Sequence, residues 1–189
     1  MRVLVYGFGP YRHFQSNITE SIVRKLPRSH RLHRIIFPVK FNKSQFLDSI
    51  REYKPNVVLG LGQCSRGRRL RIEAQAVNRR RHHKGEKARP IVPGGAFRLR
   101  THLRFDFGPR GRLSQNAGDY VCNYSMYVVL DFLKRRRAPI RFGFIHVPHR
   151  YDAATAVRMV AKAIGKITPA IWNFLPGRAF VRTRNGGAT

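Results

Sequence analysis

The sequence predicts an α/β fold: a single domain in which a twisted mixed sheet is sandwiched by helices. Short apolar runs bounded by glycine or proline alternate with segments in which apolar residues recur at helical spacing. The 189 residues are enough for one substantial core, and neither a repeat nor a low-complexity stretch divides them. We therefore expect one domain over residues 1–180, followed by a polar, flexible tail over residues 181–189.

The first third of the chain predicts three strands separated by two helices. In chain order these elements are Val3–Gly7, Asn17–Leu26, Arg34–Val39, Ser44–Tyr53 and Asn56–Leu61. The first helix carries an apolar stripe that stops at Pro27, and the second helix stops before Pro55. The strands are short and mostly apolar, which is typical of strands buried inside an α/β sheet.

The rest of the chain continues this alternation after an irregular middle. We expect a strand at Leu70–Val77, a basic surface loop at Arg79–Pro93 and a segment without a clear pattern at Phe97–Phe107. A helix at Tyr120–Lys134, a strand at Ile140–Val147 and a final helix at Ala153–Ile167 follow. The loop is predicted from its density of charge together with its glycine and prolines. Both helices carry enough apolar residues to cover one face of a sheet.

The charge of the chain is its most unusual property. Lysine and arginine number 38 against 9 acidic residues, a formal net charge of +29, with arginine clusters at Arg66–Arg71, Arg79–Arg81 and Arg135–Arg137. One interpretation is a protein whose function is to bind nucleic acid or another polyanion through its basic surface, because clustered cations release counterions from phosphate backbones. The interpretation we favour is a basic surface spread over the whole chain, since no zinc-ligand spacing, RNA-binding motif or basic heptad helix accompanies the clusters. Weak non-specific adhesion to polyanions is expected in either case.

Nothing in the sequence predicts a membrane segment or a secreted protein. No apolar run approaches the roughly eighteen residues that a membrane span needs, and Met1-Arg2 leads straight into the first strand without a signal peptide. The two cysteines, Cys64 and Cys122, are interpreted as free thiols rather than as a disulfide scaffold. We expect a cytoplasmic protein, and the sequence leaves the oligomeric state open, homo-oligomers included.

Cys122 is the leading candidate for a reactive group. It follows a small-residue turn at Asn116-Ala117-Gly118 and falls in the first turn of a predicted helix. Unpaired backbone N–H groups and the positive end of the helix dipole favour a thiolate at such a position, and the same N–H groups suit an oxyanion. The alternative is an inert buried cysteine. Cys64, which also follows a strand and lies near arginines, is the competing thiol and ranks second.

His146 and Glu73 are the candidate partners of this thiol. His146 stands at the end of an apolar strand just before Val147-Pro148, and active sites of open α/β sheets gather at that edge. Its imidazole is suited to exchange a proton with the thiol and with a leaving amine. Glu73 lies in a strand among small and apolar residues, where orienting the histidine is one role and an ion pair with Arg71 is the other.

Six motifs, taken together and in order, resemble the pyroglutamyl peptidase I (pyrrolidone-carboxylate peptidase) family of cysteine peptidases. They are Gly7-Phe8-Gly9-Pro10-Tyr11, Asn17-Ile18-Thr19, Gly62-Gln63, Ile72-Glu73 with Asn78, Ala117-Gly118 with Val121-Cys122-Asn123-Tyr124, and Gly143-Phe144-Ile145-His146-Val147-Pro148. The resemblance runs from about residue 1 to about residue 165. It implies a phosphorylase/hydrolase-like α/β domain that removes N-terminal pyroglutamate from peptides.

The resemblance also implies roles for individual residues. Cys122, His146 and Glu73 match the catalytic triad of the family, which works through an acyl-enzyme without a metal or cofactor. The positions that match the family's lactam pocket are Phe8, Tyr11, Asn17 and Gln63. Aromatic walls with a few polar groups suit a flat, uncharged lactam, although core packing is an equally good interpretation of Phe8.

The sequence departs from the family pattern at three places. Arg12 and His13 replace two glycines of the first motif, and Asn17-Ile18 replaces an Asn-Pro pair. The loop after Asn78 is short and begins with Arg79-Arg80-Arg81, any of which could replace the family's arginine near the oxyanion. If basic residues ring the cleft, peptides that carry acidic residues after the pyroglutamate are expected to react faster.

Overall fold

The computed structural model describes residues 1–11, 14–83 and 85–167. Eight strands and four helices occur within these ranges. In chain order they are β1 (Val3–Phe8), α1 (Ile18–Lys25), β2 (Leu32–Phe37), α2 (Lys43–Tyr53), β3 (Val57–Cys64), β4 (Leu70–Glu73), β5 (Gln75–Val77), β6 (Arg98–Arg100), β7 (Gly111–Ser114), α3 (Val121–Arg136), β8 (Arg141–Pro148) and α4 (Ala153–Ile167). The predicted tail over 181–189 and the substitutions at Arg12 and His13 lie outside the described residues.

Six of the strands form the central sheet, in the order β2-β1-β3-β8-β4-β7. All neighbours run parallel except β4 and β8, which are antiparallel, so the sheet is mixed as predicted. One hydrophobic cluster packs α2 and α3 against the sheet, and a second packs α1 and α4. Helices therefore cover both faces, and the predicted α/β fold is confirmed.

The strands that carry the predicted site residues end at one edge of the sheet. Phe8 ends β1, Cys64 ends β3 and Pro148 ends β8, and these three strands are parallel neighbours. Because parallel strands bring their carboxyl ends together, Gln63 and His146 lie at the same edge as Phe8. The turn that starts α3 reaches this edge as well, since Gly62 contacts the Cys122 thiol there.

Two details differ from the sequence-based expectation. The strand predicted over Leu70–Val77 is interrupted at Ala74, whose N–H donates to Ser114 O and whose carbonyl accepts from Thr101 N. The first part, β4, stays in the main sheet, whereas β5 pairs with β6 in a separate ribbon. The edge strand β7 was not predicted because it lacks an apolar run, and its Leu113 is 56% exposed.

The remaining boundaries agree with the sequence to within a few residues. The predicted strand over 34–39 lies two residues earlier, at Leu32–Phe37, and the basic segment after residue 78 is an irregular loop, as expected. None of the described helices is long and apolar enough to cross a membrane.

Candidate active site

Cys122 is the second residue of α3, at the start of the helix. Tyr120 caps the helix with extended backbone and without a side-chain hydrogen bond, so it leaves the first N–H groups of the helix unsatisfied by a capping side chain. The preceding turn is tight: Gly118 has a φ of +83° and donates its N–H to Asn116 Oδ1 at 2.9 Å. The half-buried thiol thus sits among helix N–H groups that suit a negative charge.

His146 and Glu73 form a buried hydrogen-bonded pair behind the thiol. His146 Nδ1 donates to Glu73 Oε1 at 2.8 Å, and Glu73 is completely buried in β4. This contact fixes the orientation of the imidazole, and both the ring and the Cys122 thiol lie against Gly62. The carboxylate is therefore engaged by His146, whereas the sequence had also allowed an ion pair with Arg71.

The protonation of His146 follows from its neighbours. Burial of the imidazole disfavours its charged form, but the negative charges of Cys122 and Glu73, with their hydrogen bonds, outweigh it and raise the pKa of His146 to about 10. The histidine is accordingly an imidazolium across the neutral range. This imidazolium is a proton donor that lies beside the Cys122 thiol.

Gly62 allows the thiol and the imidazole to approach each other. A Cβ at this position would lie 2.7 Å from Cys122 Sγ and 2.8 Å from His146 Cδ2, closer than carbon and sulfur atoms can pack. Gly62 is the register partner of His146 in the parallel β3–β8 pair. Sequence reasoning did not assign it a role, although a glycine at the end of a buried strand is the usual sign of a close approach.

Two buried polar residues hold the first turn of α3 in place. Asn123 donates to the carbonyls of Val77 and Arg79 and accepts from Val77 N, at 2.8–2.9 Å. Ser125 donates to Cys122 O at 2.8 Å and accepts from the hydroxyl of Tyr6 at 3.1 Å. Sequence reasoning did not single out either residue, although polar side chains on a helix surrounded by apolar residues signal a specific hydrogen-bond network.

Cys64 lies in the same cleft as Cys122 but in different surroundings. It ends β3 and is half-buried, and its thiol is 3.5 Å from the carbonyl of Arg66. Burial raises the pKa of the Cys64 thiol, and the positive charges of His146 and Arg71 offset this only in part. Cys64 is consequently held in its protonated form at neutral pH, which is less nucleophilic than the thiolate.

A cleft of about 540 Å³ opens in front of Cys122 and His146. Its lining contains all four residues that match the family's lactam pocket, namely Phe8, Tyr11, Asn17 and Gln63. Phe8 also packs edge-on against Tyr6, so its ring serves both the core and the cleft. The structure therefore brings the predicted catalytic residues and the predicted pocket residues to one place.

The two amides in the cleft are used differently. Asn17 caps α1 by accepting from Thr19 N at 3.0 Å, and its Nδ2 donates to Gly9 O at 3.0 Å, so both ends are occupied within the protein. Gln63 accepts from Ile18 N at 2.9 Å, but its buried Nε2 has no hydrogen-bond partner in the part of the chain that the structure describes. A buried amide N–H₂ without an acceptor is the better candidate for contacting a ligand carbonyl.

The short basic loop is anchored at both ends. Asn78 donates to the carbonyls of Val92 and Gly95 and accepts from the N–H groups of Ile91 and Val92. Arg81 Nε lies 3.0 Å from Asp119 Oδ2, and the Arg81 N–H donates to Asp119 O, which ties the loop to the turn before α3. Of the three arginines that start the loop, only Arg81 lines the cleft among the described residues.

Known proteins share both the sequence pattern and the fold. The model of the pyroglutamyl peptidase family matches residues 1–91 and 99–171. Pyrrolidone-carboxylate peptidase 1 of Saccharolobus solfataricus is 32% identical over 181 residues, covering 85% of this chain and 85% of that protein. The corresponding peptidase of Pyrococcus furiosus is 31% identical over 169 residues, covering 79% and 81%.

Solved structures agree with this at the level of the fold. A mutant pyrrolidone carboxyl peptidase from Pyrococcus furiosus superposes with a TM-score of 0.79 at 24% identity, covering 90% of this chain and all of the other. The enzyme from Thermococcus litoralis gives a TM-score of 0.78 at 23% identity, with 86% and 91% covered. The family model and the curated relatives together show that this chain belongs to the pyroglutamyl peptidase family, a family of cysteine peptidases.

Proposed function

We propose that this protein removes N-terminal pyroglutamate from peptides, with Cys122 as nucleophile, His146 as acid and base, and Glu73 as the group that orients His146. The observation that carries the proposal is the hydrogen bond of buried Glu73 to His146, with the imidazole and the thiol at the start of α3 meeting at Gly62. All three roles remain proposals. They are supported by this geometry and by the cleft in front of it.

The reaction follows from the charges of these groups. The Cys122 thiolate attacks the carbonyl carbon of the pyroglutamyl–peptide bond, and the resulting oxyanion is stabilised by N–H groups of the first turn of α3. The imidazolium of His146 gives its proton to the leaving nitrogen, the C–N bond breaks, and a thioester remains on Cys122. Neutral His146 then takes a proton from water, which attacks the thioester and releases pyroglutamate and the thiolate.

Recognition of the lactam rests on one polar contact and two aromatic walls. Gln63 Nε2 is buried and has no acceptor within the described chain, so it is placed to donate to the lactam carbonyl. Phe8 and Tyr11 line the same cleft and offer flat apolar surfaces to the ring. A prolyl group fits the same walls but has no ring carbonyl, and it carries a charged amine.

The direct test of the proposed function compares two fluorogenic amides. Pyroglutamyl amide is expected to be hydrolysed, and the matched prolyl amide to react at least about 10³-fold more slowly, because a site built to hydrogen-bond a substrate group rejects an analogue that lacks it. kcat/KM is measured for both under reducing conditions. Equal turnover of the two amides, or hydrolysis of neither, would contradict the proposal.

A methyl group at Gly62 is expected to separate the catalytic groups. Gly62→Ala places a Cβ against both Cys122 Sγ and His146, and a displacement of about 1 Å near the chemistry lowers kcat by about 10²-fold. The matched control is Gly9→Ala, whose Cβ would meet no atom of the described residues closer than 3.9 Å. Steady-state kinetics and thermal unfolding of both variants check this. Full activity in a folded Gly62→Ala protein would show that the close approach is not needed.

Binding of polyanions stays a prediction. The exposed arginines after β3 lie at the carboxyl edge of the sheet, whereas Arg135–Arg137 end α3 at the opposite edge. This arrangement agrees with charge distributed over the surface and does not mark a single binding face. Hydrolysis of an uncharged pyroglutamyl amide should depend little on salt, whereas phosphate binding weakens steeply as salt is added.

A further inference from the structure

Arg71 stands directly across from His146 in the cleft. The two residues are register partners in the antiparallel β4–β8 pair, and directly opposite residues of such a pair project from the same face of the sheet. Both also line the cleft that contains Cys122. A permanent cation is therefore built into the wall of the cleft next to the proton donor.

The guanidinium of Arg71 is only partly satisfied by the protein. Its Nη2 donates to the carbonyl of Arg66 at 2.8 Å, but its buried Nε has no acceptor among the described residues. Burying a hydrogen-bond donor without a partner costs free energy, because the donor loses its bond to water, and the cost is greater for a charged group. An incoming acceptor at this point is correspondingly favoured.

No carboxylate of the described residues forms an ion pair with Arg71. Glu73, two residues further along the same strand, is held by His146 at 2.8 Å. Asp119, the acidic residue that lines the cleft, is held by Arg81 at 3.0 Å. Both nearby acids are thus engaged elsewhere, and Arg71 has no anionic partner within the described part of the chain.

The position of Arg71 corresponds to the leaving part of the substrate. His146 delivers its proton to the leaving nitrogen, so the residue that follows pyroglutamate begins beside His146. Ser65 lines this cleft and also a second cavity of about 870 Å³, whose lining includes Arg68, Arg110 and Arg150. A peptide that leaves the catalytic cleft past Ser65 therefore continues into a basic environment.

We propose that Arg71 binds a carboxylate on the leaving side of the substrate and makes the enzyme selective for pyroglutamyl peptides that carry one there. The carboxylate is either the side chain of an acidic second residue or the terminal carboxylate of a pyroglutamyl dipeptide. A guanidinium suits both, since its planar donors match the two oxygens of a carboxylate. This inference rests on the proposed function and adds a substrate class to it.

The test compares three substrates that differ only in the placement of negative charge: pyroglutamyl-glutamate amide, pyroglutamyl-glutamine amide and pyroglutamyl-glutamine with a free carboxylate. kcat/KM is measured near physiological ionic strength, where exposed charges beyond about 8 Å are screened. The wild type is expected to prefer at least one carboxylate-bearing substrate over the neutral amide by about tenfold or more. The substrate that shows the preference identifies which carboxylate Arg71 binds.

Three variants distinguish a direct contact with Arg71 from a general electrostatic attraction. In Arg71→Gln the preference ratio is expected to fall to near one, and Arg71→Lys is expected to retain part of it. Arg69→Gln removes the same charge from an exposed residue of the same segment that does not line the cleft, and it is expected to keep the wild-type ratio. Because each ratio compares substrates within one variant, a general loss of activity cancels.

Three results would overturn the inference: no preference for either carboxylate in the wild type, an unchanged ratio in Arg71→Gln, or equal losses of preference in Arg69→Gln and Arg71→Gln. These outcomes are distinct from failure of the proposed function. If the proposed function were wrong, the wild type would cleave none of the three pyroglutamyl substrates, including the neutral amide.

Discussion

Replacing Cys122 by alanine is expected to abolish hydrolysis of pyroglutamyl amides, lowering kcat by on the order of 10⁶-fold, as when the nucleophile of a triad is removed. The thiol is the nucleophile of the proposed mechanism, and no other group at the start of α3 replaces it. The half-buried position and the small change in volume predict that the variant folds normally. Progress curves at high enzyme concentration, with thermal unfolding as a check on folding, measure the effect.

Cys64→Ala is the matched control for this experiment. Both thiols line the same cleft, so the two variants remove the same group from the same cavity. Burial raises the pKa of Cys64, and its thiol is directed at the carbonyl of Arg66, so turnover is expected to survive its loss. Loss of activity in Cys64→Ala with activity retained in Cys122→Ala would reverse the assignment of the nucleophile.

Glu73→Gln is expected to have the second largest effect, a loss of kcat of up to about 10⁴-fold, similar to the loss when a triad aspartate is replaced by its amide. The amide keeps the shape of the carboxylate but removes the charge that stabilises the His146 imidazolium. It can also select the wrong tautomer of the ring. Glu52→Gln, which alters an exposed glutamate of α2, is the matched control and should leave kcat unchanged.

The same variant has a characteristic pH dependence. In the wild type His146 carries its proton until about pH 10, so kcat/KM should fall as the pH rises through that value and the imidazolium is lost. The carboxylate of Glu73 is one of the causes of the raised pKa. Its removal should therefore lower the pKa of His146 and move the alkaline decline to lower pH. An unchanged alkaline limb in Glu73→Gln would show that Glu73 does not act through His146.

The sequence predicts the fold and the main site residues because their signals are local. A thiol after a small-residue turn and a histidine at the end of an apolar strand can be recognised within a few residues of Cys122 and His146. The antiparallel pairing of β4 with β8 is not local, because the two strands lie far apart in the sequence. The contact of Glu73 with His146 depends on that antiparallel pairing.

Other parts of the site depend on contacts between distant elements, which a sequence alone does not show. The need for glycine at position 62 becomes visible only when β3, β8 and α3 meet around it. The sequence does not show how the Gln63 amide is used, yet its oxygen accepts from Ile18 N and its nitrogen is unpaired within the described residues. The choice among the arginines of the basic loop required the position of Asp119, with which Arg81 pairs.

Trapping the acyl-enzyme tests the central claim most directly. Wild-type protein is mixed with excess pyroglutamyl amide, quenched in acid within the first turnovers, digested, and analysed by mass spectrometry. We expect a pyroglutamyl thioester on the peptide that contains Cys122, and its disappearance in Cys122→Ala. A thioester on Cys64, or steady turnover with no modified cysteine at any quench time, would contradict the account.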